Sequence, residues 1–158
     1  MRKVTLPSLP ISGGCQCGNV RYRITGRPVV FYLCHCTECQ RHTSSAFGES
    51  LRIRRDDLEI DGDMACFTRV SDAGNRREGW FCAECGVRIV HGTAGNPMVN
   101  IKAGTLDDTT WLVPAGHIWT RSKQSFVAIG NDELCWDAQP DDGYAAMIQR
   151  WESMLAGS

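Results

Sequence analysis

Short apolar runs broken by glycine and charge recur along the chain, the pattern of a mainly β protein. Val20-Arg21-Tyr22-Arg23-Ile24 alternates strictly. Arg21 and Arg23 share one face while Val20, Tyr22 and Ile24 share the other, as a half-buried strand requires. After Pro28, the β-branched and aromatic run Val29-Val30-Phe31-Tyr32-Leu33 leads straight into Cys34. Further strands are predicted at 46–53, 64–70, 79–82, 87–91, 98–102 and Ile118-Trp119. Turns are predicted at Asp61-Gly62-Asp63, Ala73-Gly74-Asn75 and Gly95-Asn96-Pro97.

Two segments read as helix. One is a short turn over 37–44, with Thr37 as its expected N-cap. The other is C-terminal, about 143–156. There Tyr144, Met147, Ile148, Trp151, Met154 and Leu155 recur at i, i+3, i+4 and i+7, and Gly157 is placed to end the helix. Such a stripe packs on the domain or on a second copy of the chain, so a homo-oligomer is compatible with it.

Composition narrows the class. The 158 residues are expected to form a single domain with a core over about 13–137. With 42% hydrophobic and 22% charged residues, the chain can bury a core. Seventeen Lys and Arg against eighteen Asp and Glu leave no excess of positive charge for a phosphate backbone, which argues against nucleic acid as a partner. Pro7 and Pro10 interrupt the N-terminal segment, and no apolar run approaches the ~18 residues of a membrane span. The expectation is a soluble, cytoplasmic protein whose thiols stay reduced.

That expectation decides how the nine cysteines are read, as metal ligands rather than disulfides. Seven fall in three clusters: Cys15 and Cys17 as C-x-C, Cys34, Cys36 and Cys39 as C-x-C-x-x-C, and Cys82 and Cys85 as C-x-x-C. Zinc takes four ligands in a tetrahedron, commonly from two short pairs distant in sequence. The economical partition is Cys15, Cys17, Cys82 and Cys85 in a closed structural site, with Cys34, Cys36 and Cys39 holding a second zinc that keeps one position open. Spacing also permits Cys15 and Cys17 to pair with two of the triplet. Cys66 and Cys135 lie outside the clusters and are expected to be buried core thiols.

The stretches Gly14-Cys15-Gln16-Cys17-Gly18-Asn19-Val20-Arg21-Tyr22, Cys34-His35-Cys36-Thr37-Glu38-Cys39-Gln40-Arg41 and Phe81-Cys82-Ala83-Glu84-Cys85-Gly86 resemble the glutathione-dependent formaldehyde-activating enzyme family. So do Val99-Asn100-Ile101-Lys102-Ala103-Gly104-Thr105-Leu106-Asp107-Asp108 and His117-Ile118-Trp119. The resemblance implies a β-tent fold of stacked antiparallel sheets carrying two zinc ions, divided as in the economical partition. It also implies a carbon–sulfur lyase activity that condenses glutathione with formaldehyde to S-(hydroxymethyl)glutathione.

An open zinc position suits thiol addition to a carbonyl, because a bound thiol is held as its nucleophilic thiolate. Three thiolates already give the zinc a net negative charge, so surrounding cations and N–H groups become essential. Arg41, two residues after Cys39, is the nearest cation in sequence, and an arginine also suits a glutathione carboxylate. Its bland alternative is a solvated surface residue. His35, between two ligands, is expected to point away from the metal. His42 reads first as an exposed helix histidine, with a fourth ligand or a proton carrier as the alternative. His117 reads either as a hydrogen-bonded structural histidine or as a general acid/base or substrate contact. Asp107 and Asp108 read as structural. Two further functions fit the same residues: a non-catalytic zinc-stabilised interaction module, and a redox or metal-responsive protein.

Overall fold

The computed structural model describes residues 1–155. The chain is mainly β, with its strands in two sheets and a helix near its C-terminal end. It forms two compact units, each discontinuous in sequence: Met1–Leu6, Val29–Ser50 and Trp111 onwards in the first, Pro7–Pro28 and Leu51–Thr110 in the second.

In the second unit, β1 (Ile11–Gly14), β2 (Arg21–Ile24) and β5 (Leu58–Asp61) form an antiparallel sheet in the order β1-β2-β5. Alternation in β2 is as predicted: Tyr22 and Ile24 are buried while Arg21 and Arg23 are exposed. The strands β6 (Met64–Val70), β7 (Arg76–Cys82), β8 (Arg88–Thr93) and β9 (Met98–Lys102) form an antiparallel run, with β7 bulged between Trp80 and Phe81. Gly62, Gly74 and Gly95 sit at positive φ in the three predicted turns. Arg21 ties this unit's ends together through two guanidinium contacts to the Asp107 carboxylate, and Asp107 N donates to Ser12 O at 3.0 Å.

In the first unit, β3 (Val30–Cys34) lies parallel to β10 (Gly116–Ile118), which lies parallel to β11 (Leu134–Cys135). These two pairings are parallel, whereas the pairings given above for the second unit are antiparallel. The strand β4 (Gly48–Arg54) carries the chain from this unit into the second. The helices are α1 (Thr37–Thr43) and α2 (Ala145–Leu155). Along α2, Met147, Trp151, Met154 and Leu155 are buried, and the helix packs against β3. Asp142, rather than a helical residue, opens α2: its carboxylate accepts from Tyr144 N and Ala146 N at 2.9 Å each. Gly157, the expected terminator, and position 156 of the predicted helix lie outside the described residues.

The two unclustered thiols correct an expectation of burial. Cys135 is exposed and Cys66 is partly exposed. β11 pairs only with β10, and β6 only with β7, among the described residues, so each strand has one unpaired edge.

Candidate functional site

The seven clustered cysteines form two groups, each inside one unit. Cys15, Cys17, Cys82 and Cys85 bring their sulfurs within 4.8 Å of one another, as do Cys34, Cys36 and Cys39. The alternative pairing of Cys15 and Cys17 with the triplet is therefore not adopted.

The four-cysteine group is built from two tight turns. Cys15 follows β1, and Gly18 at φ +83 lets Gly18 N reach Cys15 O at 3.3 Å while Val20 N donates to Cys15 Sγ at 3.2 Å. Cys82 ends β7, and Gly86 at φ +78 similarly lets Gly86 N reach Cys82 O at 2.9 Å, with Cys85 N facing Cys82 Sγ at 3.5 Å. Backbone N–H groups thus point at sulfur from both turns. The Cys15–Cys17 and Cys17–Cys82 sulfur separations are 3.5 and 3.7 Å. Four thiolates about 2.3 Å from one tetrahedral zinc stand about 3.8 Å apart, so the donor set fits that ion.

The three-cysteine group is local in sequence. Cys34 is the last residue of β3, Cys36 caps α1 and Cys39 lies buried within α1. The cap is a correction to Thr37: the Cys36 sulfur accepts from Cys39 N at 3.3 Å, doing with sulfur what a serine or aspartate oxygen does elsewhere. Crowding separates the thiols' acidities. Hydrogen bonds from Cys34 and Cys39 hold the Cys36 thiol far down, to about 2, whereas hydrogen bonding with Cys36 and Cys39, then burial, pushes Cys34 far up. Three sulfurs this close cannot all ionise without a cation among them, and a divalent metal supplies that charge. Among the described residues no histidine, carboxylate or further thiol joins this group, so His42 is not a fourth ligand within it.

His35 points away from the sulfurs, as its position between two ligands implies. Its ring is fully buried, packs edge-on to Phe47 with centroids 5.5 Å apart, and places Nε2 at 2.9 Å from His117 Nδ1. His117 turns its other nitrogen towards Glu133 Oε2 at 3.2 Å. Burial, then the charges of His117 and Lys123, lowers His35 to about 4; burial also lowers His117, against the attraction of Glu133. Both rings are therefore neutral near pH 7. Arg41 is exposed on α1, two positions and so about 200° round the helix from Cys39.

Sequence reasoning missed five residues that shape this neighbourhood: Glu133, Gln40, Gln124, Trp119 and Arg121. Glu133 reaches His117 only because β11 pairs in register with β10, a pairing that no local pattern marks. Gln40 donates through Nε2 to both His35 O at 2.8 Å and Ser122 O at 2.9 Å, and Gln124 Nε2 donates to Gln40 Oε1 at 2.9 Å. Trp119, in a left-handed backbone conformation at φ 59, carries the Arg121 guanidinium 4.7 Å above its ring. A bulky aromatic at positive φ invites attention in a structure but leaves no mark in a sequence.

The glutathione-dependent formaldehyde-activating enzyme family matches residues 10–122, which include all seven clustered cysteines and His117. No curated protein matches the chain. A similar solved structure, a structural-genomics target from Rhodobacter sphaeroides, is 18% identical over 80% of this chain and 99% of that one, with a TM-score of 0.49. No helix among the described residues is long and apolar enough to cross a membrane.

Proposed function

Because the chain belongs to the glutathione-dependent formaldehyde-activating enzyme family, we propose that it is a zinc-dependent enzyme of the carbon–sulfur lyase class. It adds glutathione, or a related small thiol, to formaldehyde or another small aldehyde in the cytoplasm. One zinc is structural, held by Cys15, Cys17, Cys82 and Cys85, and the second belongs to Cys34, Cys36 and Cys39. The observation that carries this reading is the three-sulfur group itself, which has no fourth protein donor among the described residues. Cys34, Cys36 and Cys39 would hold a zinc ion, which when bound would lower the pKa of an incoming thiol so that it reacts as thiolate at neutral pH.

The residues around that position have three tasks. The Cys39 N–H bonded to Cys36 Sγ spreads negative charge off the sulfur, which a site of several thiolates requires. In the reaction the thiol sulfur attacks the carbonyl carbon, one C–S bond forms, the C=O π pair moves to oxygen, and the proton lost by the thiol returns to that oxygen. The net change is proton-neutral, so the site needs a carrier rather than a supply. The buried pair His117 and His35 is the candidate for that role, because His117 Nδ1 and His35 Nε2, 2.9 Å apart, can pass one proton between them, with Glu133 Oε2 3.2 Å from His117 Nε2 to attract it. Arg41 is the candidate for balancing charge from the solvent side.

The test is formaldehyde consumption in the presence of glutathione by the zinc-loaded protein, beside an equal concentration of zinc salt. Faster loss with protein, together with a change in the metal's X-ray absorption on adding glutathione, supports the reading. A rate equal to that of the salt and an unchanged spectrum overturn it, and would leave an interaction module as the better description.

A further inference from the structure

We propose that β6 pairs along its open edge with β6 of a second copy of this chain, antiparallel and about a two-fold axis at Cys66, so that Asp63 of each copy faces Arg69 of the other. This goes beyond the thiol-addition reading and does not depend on it.

Three strands of the second unit stand at sheet ends, and their edges differ. At β1, Gly13 is bridged to Leu106 and Asp107 N donates to Ser12 O at 3.0 Å, so that edge is covered. At β5, four residues long, the charges of Glu59 and Asp61 blunt the edge. By contrast β6 is seven residues long, contains no proline or lysine, and pairs with β7 alone among the described residues. Its Phe67 and Val70 are 57% and 70% exposed. A long, uncovered, largely apolar edge is a template for one more strand.

The backbone of β6 restricts how that strand can lie. Ser71 N donates to Asn75 O at 2.9 Å, one step past the Val70–Arg76 pair in an unshifted register. Hydrogen-bonded and non-hydrogen-bonded pairs alternate along an antiparallel ladder. Phe67 and Arg69 therefore turn their backbone groups to β7, and Met64, Cys66 and Thr68 turn theirs to the open edge. A partner strand must set even-numbered residues against even-numbered residues.

Charge selects among the registers that remain. The acidic turn Asp61-Gly62-Asp63 precedes β6, whereas Arg69 near its other end lies opposite Arg77, with Arg76 following the next turn. Glu78 offsets Arg76 at 3.8 Å, and Asp72 falls in the turn beyond the strand. An antiparallel copy brings the acidic end of one strand to the basic end of the other. With the axis at Cys66, Asp63 faces Arg69 in a non-hydrogen-bonded pair, where side chains come closest, and each exposed Phe67 faces the small Ala65. With the axis at Phe67, Arg69 faces Ala65 and Asp63 faces Ser71; with the axis at Thr68, Arg69 faces Phe67. An axis at Ala65 would require Asp61, which belongs to β5 and pairs there with Arg21. The Cys66 axis thus forms two ion pairs, and because it uses the open edge of β6 on both copies, association closes at two.

Sedimentation equilibrium of the zinc-loaded full chain tests the pairing. A reversible monomer–dimer equilibrium is expected for the wild type. Arg69→Asp and Asp63→Arg each set like charges face to face twice per dimer and are expected to weaken association about tenfold or more, and the double variant carrying both restores it. Thr68→Pro removes an outward N–H that β7 does not use, and is expected to give a monomer with unchanged circular dichroism and zinc content. Hydrogen exchange of the wild type provides a readout free of substitutions: the Met64, Cys66 and Thr68 amides exchange more slowly as protein concentration rises. A wild type that stays monomeric, that forms larger oligomers, or whose exchange at these amides is independent of concentration overturns the proposal. So does a dimer that survives Thr68→Pro, or a double variant that associates no better than the single ones. None of these results bears on formaldehyde consumption, which tests the thiol-addition reading separately.

Discussion

His35 Nε2 and His117 Nδ1 face each other at 2.9 Å across the parallel pair β3 and β10. At that distance one nitrogen donates and the other accepts, so the two rings share one proton between them and repel if both carry a charge. His35 is fully buried, and its Nδ1 has no hydrogen-bond partner among the described residues. Replacing His117 by alanine leaves both His35 nitrogens buried and unpaired. The expected cost is about 1–3 kcal/mol, read as a lower urea midpoint with unchanged m-value. Glu133→Gln keeps a hydrogen-bonding group at a partly exposed position and costs under about 1 kcal/mol.

The Arg21–Asp107 pair has a definite pH signature. The Arg21 guanidinium holds the Asp107 carboxyl below the ordinary aspartate range. A carboxyl lowered in the fold adds stability above its unfolded pKa and loses it as pH falls through its folded value. The contribution is therefore complete at neutral pH and fades below about pH 4. Side chains 47% and 51% exposed are well screened. Asp107→Asn is expected to cost no more than about 1 kcal/mol at pH 7, and urea midpoints of the two proteins should converge as the pH is lowered below about 4.

Helix α2 offers a test of packing without hydrogen bonding. Trp151 is fully buried, and its indole N–H has no hydrogen-bond partner among the described residues. Its stabilising contribution is then almost entirely the burial of its ring. Trp151→Ala is expected to cost about 3–5 kcal/mol, whereas Trp151→Phe, which fills most of the space and removes the unpaired N–H, costs under about 2. Similar losses in the two variants, measured by denaturant unfolding, would mean that the N–H has a partner after all.

The parts of this protein legible in its sequence are those governed by local pattern. Strict alternation marked β2, a β-branched and aromatic run marked β3, and the spacing from Tyr144 to Leu155 marked α2. The cysteine pairs were legible because metal bite distance constrains spacing within a cluster, although which clusters combine is a property of the fold. Short or irregular elements escaped: β1 holds two glycines, and β11 is only two residues long. Thr37 looked like a cap by residue type, but Cys36 has the extended backbone and the acceptor that the first turn needs. Glu133 beside His117 and Arg121 above Trp119 depend on register and on an unusual φ, neither of which has a local signature.

On the proposed function, the two cysteine groups are separate metal sites with unequal roles, one closed and structural, the other open. Zinc stoichiometry of the wild type beside Cys82→Ser and Cys36→Ser, measured with circular dichroism on the same samples, tests it most directly. About two zincs are expected for the wild type. Because a structural zinc contributes roughly 10 kcal/mol or more to folding, Cys82→Ser should be unfolded. Cys36→Ser, altered in the other unit and in an open site, should stay folded and retain about one zinc. Equal collapse of the two variants, or a wild type that binds a single zinc, would contradict the account.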